Sequence, residues 1–252
     1  MAVLTQTEIA EKLRGEDLNH WLELWHAEQG PAKRSSLELM AAVVPASKEK
    51  DVRVLDICCG PGDAGRALGS RFPTASMDFV DRDPFFASLC AAVNQRDGFA
   101  GRTLVRDLSS PNWSQDLASS YDVVVAANGL HWFTIQEVTE LFTEVIELLR
   151  SRGCFLFMEP TRPEFPFQSG FATWQHTQPG QHRHEDWIHF WSSVNAFLGY
   201  DHMPLDARPP EGRIGDTLSA LDWVGLLKTA GFEAIDILLR DTEKVVVAGL
   251  KP

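Results

Sequence analysis

Val54-Leu-Asp-Ile-Cys-Cys-Gly-Pro-Gly-Asp-Ala-Gly65 puts a glycine-rich turn between a short buried strand and the start of a helix. Gly60, Gly62 and Gly65 follow a G-x-G-x-x-G spacing, which lets backbone approach a ligand and lets the helix pack closely on the strand. Asp81 ends the next β-rich run, 81 − 60 = 21 residues after Gly60, where an acid can accept ribose hydroxyls. On either side, β-rich runs alternate with helical ones. Strands are predicted over Val52 to Ile57, Ser76 to Asp81, Thr103 to Asp107, Tyr121 to Ala127 and Cys154 to Glu159. Helices are predicted over Ala64 to Phe72, Phe85 to Gln95 and Thr134 to Leu149. Such alternation means a parallel sheet with crossover helices.

Outside this core, Leu18, Trp21, Leu22 and Trp25, then Leu37, Met40 and Val44, recur at helical spacing, and Pro31 suits a helix start. After Glu159 the pattern breaks at Pro160, Pro163 and Pro166. The stretch to Gly215 is too long for a plain connection, and Trp187, Trp191, Val194 and Leu198 predict a helix within it. A further helix over Leu218 to Ala230 precedes strands over Phe232 to Leu239 and Lys244 to Leu250, close enough to pair as a hairpin. The expected division is an N-terminal helical region (1–50), a strand–helix core that carries the glycine turn (51–159), an insertion (160–215) and a helix with two strands completing the core (216–252).

The 252 residues carry 23 Lys+Arg against 35 Asp+Glu, a formal net charge of −12, with 44% hydrophobic and 23% charged residues. That composition suits an ordinary globular enzyme. No basic stripe is present to displace counterions from phosphates, so nucleic acid and anionic membranes are not expected partners. Cys58, Cys59, Cys90 and Cys154 show neither metal-ligand spacing nor a secreted disulfide framework. No apolar run approaches the roughly 20 residues that span a bilayer, and Met1 to Gln6 lacks a basic-then-apolar leader pattern. A cytoplasmic protein is expected.

The glycine turn alone also describes a fold binding NAD(P), so a dehydrogenase is an alternative. Charge separates the two. A dinucleotide brings a pyrophosphate to the turn, whereas S-adenosylmethionine brings an ammonium and a sulfonium; a carboxylate at Asp56 disfavours the first and favours the second. Asp81, Asp83 and Asp107 add acids at the edge where open α/β sheets bind ligands. For Asp63 and Asp83 a helix-capping role weighs equally.

With these residues in place, the chain resembles the class I S-adenosylmethionine-dependent methyltransferases, in particular those acting on small molecules such as trans-aconitate and ubiquinone precursors. The resemblance covers residues 50 to 160 closely and the final two strands loosely. It implies a doubly wound, Rossmann-like seven-stranded sheet, six strands parallel and the last antiparallel, with a helical lid. It implies that the loop from Asp56 through Cys58, Gly60 and Gly62 wraps the methionine part of S-adenosylmethionine, and that Asp81 holds the ribose. Arg82 would lie beside the adenine, Asp107 and Leu108 at its edge, and Asn128 beneath the methionine. The family often has glycine where Cys58 stands.

Methyl transfer from a sulfonium needs a base only when the acceptor must lose a proton, and His131 at the end of the fourth strand is the catalytic candidate. The same Leu-His-Trp stretch also recurs in the family as a packing element. Trp132 beside it is placed to stack on an acceptor. The insertion holds five of the eight histidines, His176, His182, His184, His189 and His202. Trp21, Trp25, Trp132, His182 and His184 are the candidate contacts to a small-molecule methyl acceptor, while Trp187 and Trp191 read as core. His182-Arg-His184-Glu185 offers metal-ligand chemistry, but two histidines in a polar loop without a third fixed ligand do not define a site, and no metal is expected. Arg34 and Arg162 suit a carboxylate, with surface ion pairs the default. A third reading keeps the cofactor fold in a non-catalytic partner protein.

Overall fold

The computed structural model describes residues 3–29, 31–44, 52–117, 120–162, 184–203, 211–241 and 243–252. Its frame is a seven-stranded sheet: β1 (Arg53–Ile57), β2 (Ser76–Asp81), β3 (Gly101–Val105), β4 (Tyr121–Ala127), β5 (Leu149–Pro160), β6 (Glu233–Arg240) and β7 (Lys244–Leu250), in the order β3-β2-β1-β4-β5-β7-β6. β1 to β5 run parallel where they pair, and β7 is antiparallel to both β5 and β6. The final strands therefore do pair as a hairpin, with β7 inserted between β5 and β6.

Helices cover both faces, which is why the central strands read as nearly continuous apolar runs. On β4, Val123 and Val125 face α3 (Pro31–Val43) and α4 (Asp63–Arg71), together with Leu37, Met40 and Leu68. Val124 and Ala126 face the other way, toward Phe142 and Val145 of α6 (Ile135–Leu148) and Trp223 of a later helix over Ala220–Thr229. Thr134 and Glu137 form a reciprocal capping box that fixes where α6 begins.

A third cluster lies outside the sheet. It joins α1 (Gln6–Leu13) and α2 (Leu18–Gln29) to α5 (Pro84–Asp97) and to α6's successor in the chain, α7 (His184–Leu198), through Ile9, Leu13, Trp21, Phe85, Phe86, Phe190, Trp191 and Val194. Trp187 packs against this cluster, so the core reading of both α7 tryptophans holds. The helix Ala220–Thr229 becomes α8 in chain order. His182 and the side chain of His184 lie outside the described residues, as does half of the expected insertion.

The register aligns the strand ends. Ile57 stands level with Val80 and with Ala126, and Ala127 with Met158. Cys58, Asp81, Asn128 and Glu159 thus emerge at one edge of the sheet. Two strands depart from their sequence expectations by more than one residue: β5 begins at Leu149 rather than Cys154, and β3 ends at Val105, so Asp107 lies in the following loop. The shift in β3 arises at the other end, because Gly101 pairs with Met77, and a Cβ there would meet the Met77 carbonyl oxygen at 1.9 Å.

Candidate functional site

The turn after β1 is held in left-handed backbone at Cys58 (φ 51°), Gly60 (φ 53°) and Gly62 (φ 91°). Glycine adopts these angles freely, whereas Cys58 bears a strain of about 1–2 kcal/mol. The family resemblance leads to an expectation of glycine at this position, and the cysteine there has a conformational cost. Close approach sets the remaining glycines. A Cβ on Gly65 would lie 2.4 Å from the Phe79 ring, and one on Gly129 would lie 2.2 Å from Cys58 Cβ. The ends of β1 and β4 touch at that second point.

Asp56 is fully buried, and its Oδ2 accepts the Gly65 amide at 2.7 Å, tying β1 to the first turn of α4. Burial pushes its carboxyl well above the usual carboxylate range, against the Gly65 amide and the charge of Arg66. Asp56 thus closes the loop before it presents charge to a ligand, and the electrostatic contrast drawn from sequence cannot rest on it as an open carboxylate. Its Oδ1 has no hydrogen-bond partner among the described residues, an unusual state for a buried oxygen. That atom fits a donor supplied by a bound ligand.

Asp81 is 8% exposed, with Oδ2 accepting the Gly60 amide and Oδ1 the Asp83 amide, each at 2.8 Å. Burial, then the charge of Asp83, pushes its carboxyl up to about 6 despite those two amides. Each oxygen keeps a lone pair for a hydroxyl donor. Asp83 Oδ1 caps α5 by accepting the Phe85 and Phe86 amides at 2.8 and 3.2 Å. Arg82 is exposed, its guanidinium 5.9 Å from the Trp132 ring centroid. Asp107 is exposed and accepts the Ser109 amide and hydroxyl, while Leu108 is buried in the core beside Trp113.

At the end of β4, Asn128 turns left-handed (φ 58°) and its amide donates to the Met158 carbonyl at 2.8 Å. The short 3-10 turn Leu130–Trp132 follows, and it is organised by a residue that sequence reading treated only as a strand end. Glu159, fully buried, accepts the Gly129 and Leu130 amides at 2.8 Å through Oε1. Its Oε2 accepts the His131 amide at 3.2 Å and lies 2.8 Å from His131 Nδ1. With Oε2 accepting, the proton belongs on Nδ1 and the lone pair on Nε2. The available signal was the lone acid closing Cys154-Phe-Leu-Phe-Met-Glu159.

The Cys58 thiol connects these parts. Burial first, then the charges of Asp81 and Glu159, push it well above the usual thiol range. Asp81 and the carboxyl that holds the histidine turn thus both act on the same residue of the glycine loop.

The helical cover reaches this loop through Trp25. Its ring stands 3.7 Å from where a Gly60 Cβ would be, and its Nε1 donates to Asp63 Oδ2 at 3.1 Å. His26 and Arg66 also meet Asp63, at 3.2 and 2.7 Å. Burial raises the Asp63 carboxyl, but His26, Lys33 and Arg66 outweigh it and hold the group well below the usual range. Trp21 is packed edge-on against Phe85 and Phe197 at 5.3 and 5.2 Å, and its ring serves the packing of the cover. No group of three His, Cys, Asp or Glu residues placed to hold a metal occurs among the described residues.

A parallel α/β sheet with an antiparallel strand between β5 and β6, and a glycine loop and acid at the ends of β1 and β2, defines a Rossmann-like fold of the class I methyltransferase type. It departs from the dinucleotide order 3-2-1-4-5-6 at that inserted strand. Residues 54–153 match the family model described as a methyltransferase domain. The chain is 29% identical over 133 residues to the probable S-adenosylmethionine-dependent methyltransferase CRG1 of Saccharomyces cerevisiae, covering 51% of this chain and 43% of that protein. It is 29% identical over 93 residues to trans-aconitate 2-methyltransferase of Streptomyces avermitilis, covering 37% of this chain and 34% of that enzyme. It thus spans less than half the length of either relative. The solved structure of the mitomycin 7-O-methyltransferase MmcR superposes with a TM-score of 0.58 at 16% identity, covering 98% of this chain and 61% of that one. Over residues 54–153 the chain is therefore similar to methyltransferase domains, on a fold that it shares with solved methyltransferases.

Proposed function

We propose that the protein transfers a methyl group from S-adenosylmethionine to a small organic acceptor that must lose a proton, such as a phenol or an activated carbon acid. When bound, S-adenosylmethionine supplies a methyl carbon already activated by its sulfonium, so the chain has chiefly to bind, orient and exclude water. Asp81 accepts the ribose hydroxyls, and the loop of Cys58, Gly60 and Gly62 receives the methionine part, with Asp56 Oδ1 as an acceptor. Arg82, Asp107 and Leu108 border the adenine, and Asn128 lies beneath the methionine. His131 Nε2 takes the acceptor's proton, and Glu159 holds the ring in the tautomer that leaves Nε2 able to do so. Residues 1–50 and 160–215 cover the acceptor, with Trp25, Trp132, His182 and His184 as its contacts and Trp21 supporting them from the cover's interior.

The observation that carries the deprotonation step is the 2.8 Å pairing of His131 Nδ1 with a carboxyl buried against the glycine loop. A histidine that served only to pack would not require a wholly buried acid to fix its ring. The dehydrogenase and the non-catalytic readings find no comparable support. A cytoplasmic location agrees with the unpaired thiols of Cys58, Cys59 and Cys90 and with the lack, among the described residues, of any helix long and apolar enough to cross a membrane.

The test is methyl transfer from labelled S-adenosylmethionine to panels of phenols, carbon acids and amines. Turnover confined to phenols or carbon acids and lost in His131→Asn supports the reading. Undiminished turnover in that variant removes the base.

A further inference from the structure

Asp83 has a second partner beyond the helix it caps. Its Oδ2 lies 2.9 Å from Nε2 of His202, and both side chains are nearly enclosed, at 11% and 10% exposure. His202 belongs to the segment after α7, which turns at Gly199 (φ 83°). Asn195 of α7 fixes that segment: its Oδ1 accepts the His202 and Met203 amides at 3.0 and 3.1 Å, and its Nδ2 donates to the Met203 carbonyl at 2.8 Å. The His202 ring is flanked by Trp191 and Tyr200, with centroids at 6.1 and 5.8 Å. A histidine gripped in this way has little freedom to leave Asp83.

The other side of Asp83 is the nucleoside-binding edge. Its amide donates to Asp81 Oδ1 while the Gly60 amide donates to Asp81 Oδ2. An unbroken polar path therefore runs from α7 through Asn195, His202 and Asp83 to Asp81 and the glycine loop. Among the described residues, α7 is otherwise attached through the apolar side chains of Phe190, Trp191, Val194 and Leu198. Apolar packing holds a helix against its neighbours without setting its position to a fraction of an ångström, whereas a buried hydrogen bond does both.

We propose that His202 is a positioning residue that latches the lid helix α7 to the cofactor-binding edge, so that S-adenosylmethionine binding and lid closure are energetically coupled through Asp83. This rests on the assignment of Asp81 to the cofactor ribose. By linkage, loosening the latch weakens the cofactor, and bound cofactor tightens the latch by the same factor.

The experiment is calorimetric titration of S-adenosylhomocysteine into the full chain and its variants, with hydrogen exchange of α7 followed in parallel. His202→Ala is expected to weaken binding about tenfold and to abolish the cofactor-induced protection of α7. Asn195→Ala, which releases the same segment, is expected to act in the same direction. His202→Gln, whose amide nitrogen reaches the Asp83 oxygen, is expected to restore affinity. Val194→Ala controls for simple loosening of the cover: it lowers thermal stability and leaves affinity unchanged. Wild-type affinity in His202→Ala, or an equal loss in Val194→Ala, overturns the latch and leaves the methyltransferase reading standing. Failure of the wild-type chain to bind S-adenosylhomocysteine overturns both.

Discussion

Glu159 accepts three amide N–H groups and one imidazole N–H from a single turn, so replacing it alters two measurable quantities at once. Glu159→Gln sets an NH2 group among donors and should cost about 1–3 kcal/mol of stability. It should also lower kcat by freeing the His131 ring. His131→Asn should lower kcat by about a hundredfold or more while leaving S-adenosylhomocysteine affinity unchanged, because the role proposed for the imidazole is toward the acceptor and not the cofactor. Loss of affinity in place of turnover contradicts the assignment. Asp81 makes a separate prediction through pH. With its carboxyl pushed up to about 6 in the folded chain, it is protonated in the free protein below that pH and accepts ribose hydroxyls poorly. Affinity for S-adenosylhomocysteine should therefore fall as pH drops from 7 to 5, and a flat titration contradicts the role. Stability shifts the opposite way for this group. A folded pKa above the unfolded one favours the fold below the unfolded value, and that contribution is lost as pH rises toward 6. The positions of Asp56 in β1, Asp81 at the end of β2 and His131 just beyond β4 were legible from the strand pattern. Glu159 was passed over because its partners are backbone amides of a turn 28 residues or more away, which no local pattern encodes.

The turn between β1 and α4 works because Gly60 and Gly62 adopt positive φ and because a Cβ on Gly62 or Gly65 would collide with its neighbours. Gly62→Ala should be destabilised by about 2 kcal/mol or more, since its φ is 91° and a Cβ would lie 2.7 Å from Cys90 Sγ. Gly129→Ala should cost about 1–3 kcal/mol through its contact with Cys58, and Cys58→Gly should recover much of that loss in the double variant. Additive melting temperatures would show that the ends of β1 and β4 are not packed as described. Trp25→Phe removes one hydrogen bond to Asp63 and should loosen the loop, at about 1 kcal/mol of stability. The helices and strands themselves were largely legible, because their apolar periods change sharply at Val52 and because Val138, Leu141, Phe142, Val145 and Leu148 make one apolar stripe along α6. β3 was read two residues late: its signal is the β-branched pair Thr103 and Val105, while its first residue is a glycine chosen for closeness to Met77.

Three apolar clusters assemble the molecule, one on each sheet face and one in the helical cover that joins α1, α2, α5 and α7. The alternation of strand and helix conveyed the parallel sheet, the short gap between the last two strands conveyed their hairpin, and the family resemblance supplied the seven-stranded topology. The sequence did not convey how the cover attaches. Trp25 to Asp63 and His202 to Asp83 join residues 38 and 119 positions apart, and neither pair has a spacing of its own to betray it. The account depends above all on a nucleoside site formed by Asp81 and the glycine loop, selective for a methionine-bearing cofactor over a dinucleotide. Calorimetric titration of the full chain with S-adenosylhomocysteine and, separately, with NADH, repeated on Asp81→Ala, addresses that directly. The predicted result is micromolar binding of S-adenosylhomocysteine that weakens sharply in the variant, with no heat from NADH. Binding of NADH alone would contradict it.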